Sequence, residues 1–400
     1  MYLTTKHWPA DRVWRRTWWL LAGLVPSLLT ACGDPADSVR ERRLENFDKK
    51  VARSLADIPD SSPDTSLSRQ LLVIGESRFK VGESPRSEAE EFGFPGDAII
   101  LDNDIILVTD KAKHRVVVIT ENGETVRTIG RKGQGPGEFE DLSQLVVEDG
   151  GVVSVLDNRQ LRLVELKIVG TEVEAARTRL FQVTDSDIWV LPQPMCVLGN
   201  EFVALSYDPI SERTLHRVSA GGEPLSSFGL PFTAGSNGFN EAITTGRLLC
   251  LPDLGLIVLA TARGDLVGFS ADGEIVWRRR LDQFHPIGVR EVASTVVFDY
   301  APEPDGKSTR LGTMQRLSPE LGLLQLRIIQ AGRESGAFVQ DQIGVDSRIF
   351  DLRTGTELGR QADLPIVMAI RDGWALFSED EPAPWLELRA LSLVRDSMRQ

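Results

Sequence analysis

At 400 residues the chain has room for about two or three ordinary domains or one large repeat architecture, and its 42% hydrophobic and 26% charged residues are ordinary globular usage. Pro and Gly total 56 and are dispersed, which excludes a disordered chain, and the composition also excludes a multispanning membrane protein. A net charge of −13 with no dense Lys/Arg stripe in the body excludes a nucleic-acid binder, because phosphate neutralisation needs a basic face.

In chain order, Lys6, Arg12, Arg15 and Arg16 precede an apolar-dominated run from Thr17 to Ala31 that Pro26 interrupts. About fifteen such residues are too few to span a bilayer, so residues 1–31 read as a secretory signal peptide. The run closes on Leu29-Thr30-Ala31-Cys32, which resembles the lipobox of bacterial lipoproteins. The resemblance implies that Cys32 becomes the acylated mature N-terminus and the lipid anchor of the body that follows. Asp34 stands one place beyond the position next to Cys32, which points to the outer membrane, with the body facing the periplasm or the exterior. Loss of residues 1–31 removes four basic residues and Asp11, leaving 41 basic and 57 acidic residues, net −16. Such a body stays off anionic surfaces apart from its anchor. Residues 32–68 form the lipidated N-terminus and a charged tether in which Leu44, Phe47, Val51 and Leu55 recur at helical spacing, predicting one short amphipathic helix between flexible pieces.

From residue 69 to the end, short β-branched runs stop at Gly, Asp and Asn, an all-β pattern with no convincing helix. Four segments read as outer hairpins: Val117 to Ile129 around Glu121-Asn122-Gly123, His216 to Phe228 around Gly221-Gly222, Val267 to Trp277 around Asp272-Gly273, and Arg348 to Leu358 around Thr354-Gly355. A second repeated turn, clearest in Pro252-Asp253-Leu254-Gly255-Leu256 and Pro319-Glu320-Leu321-Gly322-Leu323, aligns six equivalent apolar residues: Ile99, Val146, Cys196, Cys250, Leu317 and Met368. Their separations are 47, 50, 54, 67 and 51 residues, the length of a four-stranded propeller blade. The chain therefore reads as all-β, a six-bladed β-propeller over residues 69–400, with a surface insertion at Ala301 to Lys307 in the long fourth interval.

The stretch from Asp110 through Glu121-Asn122-Gly123-Glu124 to Thr128-Ile129-Gly130-Arg131-Lys132-Gly133-Gln134-Gly135-Pro136-Gly137-Glu138-Phe139 resembles the NHL-related six-bladed β-propeller lipoproteins of bacteria. The resemblance implies ring closure by an N-terminal strand that completes the last blade, here Gln70 to Ile74 beside Leu386 to Leu393.

No chemical motif stands out. Gly133 to Gly137 lacks the helix that a phosphate cradle needs and reads as an inter-blade turn. Gly306-Lys307-Ser308-Thr309 lacks the earlier glycine of a phosphate-binding loop, since Ala301 stands there. His114, His216 and His285 fall in different blades without metal-ligand spacing, so no metal or cofactor is expected. Cys196 and Cys250 occupy a core position and read first as buried thiols, with a disulfide between neighbouring blades as the rival reading in an oxidising compartment. Propellers bind ligands where loops surround the central channel, and the loops offer Asp110, Lys113, His114, Arg115, Asp157, Arg159, Arg263 and Asp265 as candidate ligand-binding residues. The expectation is a lipid-anchored cell-envelope binding or scaffolding module for a protein, peptide or glycan. The alternative is a lactonase- or lyase-like propeller enzyme with a divalent cation in the channel, which would require several oxygen ligands converging at its mouth.

Overall fold

The computed structural model describes residues 70–82, 91–102, 105–184, 194–229, 236–292, 295–299, 305–334, 337–379 and 384–395. The signal peptide, Cys32 and the tether expected over residues 1–68 lie outside them. An opening strand, β1 (Gln70–Val81), precedes blade one, which consists of Pro95–Ile100, Ile105–Asp110, Arg115–Thr120 and Thr125–Ile129 (β2–β5). Blade two is Leu142–Val147, Val153–Asp157, Arg162–Val169 and Glu172–Leu180 (β6–β9), and blade three is Met195–Leu198, Glu201–Leu205, Leu215–Ser219 and Pro224–Phe228 (β10–β13). Blade four is Gly246–Leu251, Leu256–Thr261, Asp265–Ser270 and Ile275–Arg280 (β14–β17). After a hairpin of Gly288–Val292 and Thr295–Asp299 (β18, β19) come blade five, Lys307–Arg316, Leu321–Glu334, Ala337–Asp351 and Glu357–Ala362 (β20–β23), and the strands Ile366–Arg371, Trp374–Glu379 and Trp385–Arg395 (β24–β26) of blade six.

Each blade pairs in chain order, and blade six is completed on its outer edge by β1, giving the order β1-β26-β25-β24. The antiparallel register runs from Gln70 opposite Arg395 to Val81 opposite Leu386, so the closing strand extends past the expected Ile74. The first strands of successive blades are neighbours all the way round, β2 to β6, β10, β14, β20, β24 and back to β2. The molecule is a six-bladed β-propeller.

Period-2 alternation explains the packing. In β3, Ile105 and Leu107 enter the core between blades one and two, whereas Ile106 and Val108 enter the core between blades six and one. A second strand buried on both faces must be apolar throughout, hence the run Ile105-Ile106-Leu107-Val108. Equivalent cores lie between blades two and three, three and four, four and five, and five and six, each side chain contributing about 1.5–3 kcal/mol of burial.

The glycine of the outer-hairpin turn meets two demands at once. Gly123, Gly222, Gly273 and Gly355 all have positive φ, and a Cβ there would come within 2.1–2.8 Å of the outer strand of the preceding blade, at Phe79, Leu180, Phe228 and Trp277 respectively. Backbone handedness and blade-to-blade contact thus fix the same residue, which is why the turns repeat so legibly.

Each junction around the channel also carries a bond made by an inner strand. Asp97 Oδ2 accepts the Leu145 N–H at 2.8 Å, and Gln144 both donates to the Met195 carbonyl at 2.7 Å and accepts its N–H at 3.0 Å. Arg247 Nε donates to the Gly312 carbonyl, Gln315 to that of Met368 and Arg371 to that of Ile100. Between blades three and four Pro194 stands where Asp97 and Gln144 stand in theirs and has no side-chain donor or acceptor. There Cys196 of β10 and Cys250 of β14 form a disulfide, with Cα atoms 5.5 Å apart. The two cysteines are therefore not free core thiols: side-by-side inner strands bring the repeated position of adjacent blades into bonding range.

Two further features depart from expectation. A helix α1, Asn237–Ile243, precedes blade four, with Ser236 as its N-cap and Phe239, Asn240 and Ile243 buried. The extra length near blade five lies in the β18–β19 hairpin and in the elongated β21 and β22, whereas Ala301 to Pro304 are outside the described residues. No helix among the described residues is long and apolar enough to cross a membrane.

Candidate functional site at the channel mouth

Inner strands begin, and second strands end, at one end of the ring. The turns carrying the sequence-predicted ligand residues lie there, in blades one, two and four, but most of those residues serve the frame. Asp110, at the end of β3, is fully buried and accepts N–H bonds from Gly93 at 3.1 Å and Phe94 at 3.0 Å, with Arg115 Nε at 3.3 Å. Arg115 also donates to the Glu91 carbonyl. Blade two repeats the device: fully buried Asp157 accepts from Glu140 and Asp141 N–H at 3.1 and 3.0 Å and from Arg162 at 3.3 Å. Both carboxylates clamp the chain entering their own blade's first strand, and the Asp-x-x-x-x-Arg spacing is the sequence trace of that clamp. Asp265 pairs with Arg278 at 2.6 Å and Arg280 at 3.1 Å.

The remaining candidates do not converge either. Lys113 pairs with Glu91 at 2.9 Å. His114 occupies a left-handed turn position with φ 52°. Arg159 lies 3.9 Å from Glu140 with its side chain 73% exposed, and Arg263 is half-buried in the β15–β16 turn. His216, fully buried in blade three, bonds Ser227 and the Ser206 carbonyl, and burial holds its pKa below the usual imidazole value.

The groups that do share an electrostatic environment are ones the sequence did not single out: Asp97, Lys111, Arg247 and Arg327, with Asp141 at the rim. Asp97 lies on the first strand of blade one, half-buried, accepting Leu145 N–H and Ala98 N–H. Enclosure by the ring pushes its pKa up to about 6, against the pull of those two N–H bonds, Lys111 and Arg247. A wall position accounts for both observations, since such a side chain touches channel water while protein surrounds it. Lys111 follows β3 directly and lays its stem over Gly96, where a Cβ would stand 2.4 Å from Lys111 Cε. Burial lowers the Lys111 pKa, with Asp141 and Asp97 opposing and Arg247 reinforcing.

Arg247 belongs to blade four, the third neighbour of blade one in a ring of six and so its opposite. Its guanidinium donates to the carbonyls of Gly312 and Gly246. Gly312 is also where Arg327 sits, its Cγ 3.6 Å from the position of a Cβ on that glycine. Burial and the like charge of Arg327 lower the Arg247 pKa, and Asp97 opposes them. Asp97 falls two residues before the repeated apolar position, as do Gln144 and Gln315, and that phase is the one signal by which sequence could have marked an inner-strand polar row.

The mouth face is also the elaborated one. The connection into blade four carries α1, the connection into blade five carries the β18–β19 hairpin, and α1 packs on that hairpin. β21 and β22 extend beyond the blade on the same side, and Ile210 and Ile343 are exposed there at 70 and 50%.

Comparison with known proteins agrees with this architecture. Residues 95–186 match the DUF5128 family, described as a 6-bladed beta-propeller. No curated protein matches the chain. Among solved structures, a DUF4221-family member from Bacteroides vulgatus superposes with TM-score 0.58 at 10% identity, covering 82% of this chain and all of the other. A Bacteroides fragilis protein described as exported gives TM-score 0.52 at 12% identity, covering 84% and 97% of the two chains. Virginiamycin B lyase from Staphylococcus aureus is more distant, with TM-score 0.42 at 10% identity over 80% and 99%. At these identities the first two likenesses are likenesses of fold, and the fold they share with this chain is the propeller.

Proposed function

We propose that the chain is a lipid-anchored cell-envelope module that binds or scaffolds a protein, peptide or glycan ligand on the mouth face of its propeller. The observation that carries this reading is the concentration of α1, the β18–β19 hairpin, the elongated β21–β22 pair and exposed Ile210 and Ile343 on that one face. Rigid rings commonly carry function on such variable connections. The lipobox-like Leu29-Thr30-Ala31-Cys32 supports the anchor, and the likeness to a protein described as exported agrees with it.

Among the described residues, the donor set at the channel mouth does not fit a divalent cation. Asp97 already accepts two N–H bonds and lies in the field of Lys111 and Arg247, and the loop carboxylates Asp110, Asp157 and Asp265 are engaged by Arg side chains. Peptide and glycan arrays probed with the purified propeller test the reading, beside a variant in which residues 288–299 are replaced by a short turn. Binding by the parent that the variant loses is expected. No ligand on either array, or equal binding by both proteins, overturns it. Mass analysis of the native protein for acyl chains on Cys32 tests the anchor separately.

A further inference from the structure

We propose that the cleft between blades six and one, at the end of the ring opposite the mouth, is a binding site for a neutral pyranose sugar, with Trp374 in its apolar wall and Asp102 and Asp372 at its rim. The proposal goes beyond the mouth-face reading and does not depend on it, because the two sites lie at opposite ends of the ring.

Inner strands end, and second strands begin, at this end of the ring. A cavity of about 70 Å³ opens there, with room for about five waters, the bulk of one sugar ring. Its apolar wall is built from Ile100 at the end of β2, Ile106 of β3, Leu388 of β26 and the indole of Trp374. Ile106 and Leu388 belong to the core between blades six and one, and Trp374 packs against that core while staying partly exposed. The first residue of the second strand is aliphatic in blades one, two, four and five, at Ile105, Val153, Leu256 and Leu321, and is Glu201 in blade three. Blade six places an aromatic ring at a position where an aliphatic side chain serves the core elsewhere.

The rim is polar and internally matched. Arg78 of β1 caps the indole, its guanidinium carbon 3.9 Å from the ring centre, and pairs with Glu121 in the outer turn of blade one at 2.7 Å. Arg371, at the end of β24, donates to the Ile100 carbonyl at 3.2 Å and pairs with Asp372 at 3.2 Å and with Asp102. Two guanidinium groups against three carboxylates leave little net charge to draw in an ion. They do set donors beside acceptors, since a carboxylate accepts about four bonds and the Asp102 and Asp372 side chains are 85% exposed. An apolar wall below a rim that both donates and accepts is the complement of a pyranose, which has an apolar CH face and an edge of neighbouring hydroxyls. The ion pairs hold the rim side chains before the sugar arrives, so less rotamer freedom is lost on binding.

The test uses the purified full chain, with glucose, galactose, mannose and N-acetylglucosamine as neutral probes and glucuronate and inorganic phosphate as anionic ones, followed by saturation-transfer NMR and tryptophan fluorescence. At least one neutral sugar is expected to bind saturably and more tightly than either anion. Trp374→Leu keeps the aliphatic core contact of the other blades and is expected to weaken binding about tenfold, with Trp374→Phe restoring part of it. Asp372→Asn, at an exposed side chain away from the core, is expected to weaken it about threefold. The variant with residues 288–299 replaced by a short turn is expected to bind the sugar as the parent does. Circular dichroism checks that each variant is folded.

No neutral sugar bound by the folded protein, tighter binding of glucuronate or phosphate, or binding unaltered by Trp374→Leu and Asp372→Asn would each overturn the proposal. Sugar binding that disappears with the shortened hairpin would move the ligand to the mouth and overturn it as well. Array binding that fails while monosaccharide binding to the cleft persists would remove the mouth-face reading and leave the cleft standing.

Discussion

Removing the disulfide between blades three and four tests the account of how the ring is held. Cys196 and Cys250 are 54 residues apart in sequence, and a cross-link over a loop of that length lowers the entropy of the unfolded chain by about 14 cal/mol/K, or about 4 kcal/mol at 25 °C. With unfolding entropy of about 2.1 cal/mol/K per residue over a ring of roughly three hundred residues, that loss lowers the melting temperature by about 6 °C. The variant Cys196→Ala/Cys250→Ala, followed by circular dichroism during heating, reads the effect without reductant. Gln144→Ala is the internal reference. It strips the polar bonds from the junction of blades two and three and leaves the Met195 N–H and carbonyl without that partner, for about 1–3 kcal/mol or about 2–5 °C. The cysteine pair is expected to be the more damaging change. If it shifts the melting temperature less than Gln144→Ala does, the disulfide is not the principal clasp of its junction and the reasoning fails.

Other expectations follow from the same geometry. Asp157→Ala leaves Arg162 and the N–H groups of Glu140 and Asp141 without their shared acceptor, and urea unfolding should show a loss of about 3–5 kcal/mol. Arg159→Ala, at a side chain 73% exposed, should stay within about 0.5 kcal/mol in the same assay. Phe139→Ala empties a site with no solvent exposure and should cost about 3–5 kcal/mol. Asp97 has a folded pKa of about 6 against an ordinary 3.8. Its contribution to stability is therefore fully present below about pH 4 and is lost as pH rises through about 6, by at most about 3 kcal/mol and less because channel water screens the group. Carbon-detected NMR titration of the Asp97 carboxyl measures this directly, and a midpoint near the ordinary value contradicts the enclosed wall position.

The outer hairpins and the closing strand were legible in the sequence because each is fixed by short-range chemistry. Asn122-Gly123 or Asp272-Gly273 marks a turn wherever it stands between β-branched runs, and here the glycine is doubly required by the neighbouring blade. The repeated apolar position, Ile99 through Met368, fell on or directly beside the first strand of every blade. The disulfide was ambiguous because a core thiol and a bonded one leave the same trace at that position. Only the lateral approach of β10 and β14 separates them. A buried clamp and an exposed ligand both look like a charged turn residue, which is why Asp110 and Asp157 read as ligand candidates in the sequence. Asp97 and Arg247 were missed because they influence each other only through the closure of the ring, with no local spacing to announce it. Helix α1 was missed because seven residues, only three of them buried, barely establish a helical period.

The pairing of β1 with β26 also sets the order in which the molecule can be completed. β1 is made first in the ring and its partner last, with Gln70 meeting Arg395, so during synthesis the earliest strand waits with an unpaired edge while every other blade is formed. Phe79 and Val81 wait with it, and the core they share with Ile106, Val117 and Leu388 cannot assemble until the C-terminal strands arrive. Contacts of such long range slow folding. The open ring therefore remains pliable until its final strand has emerged.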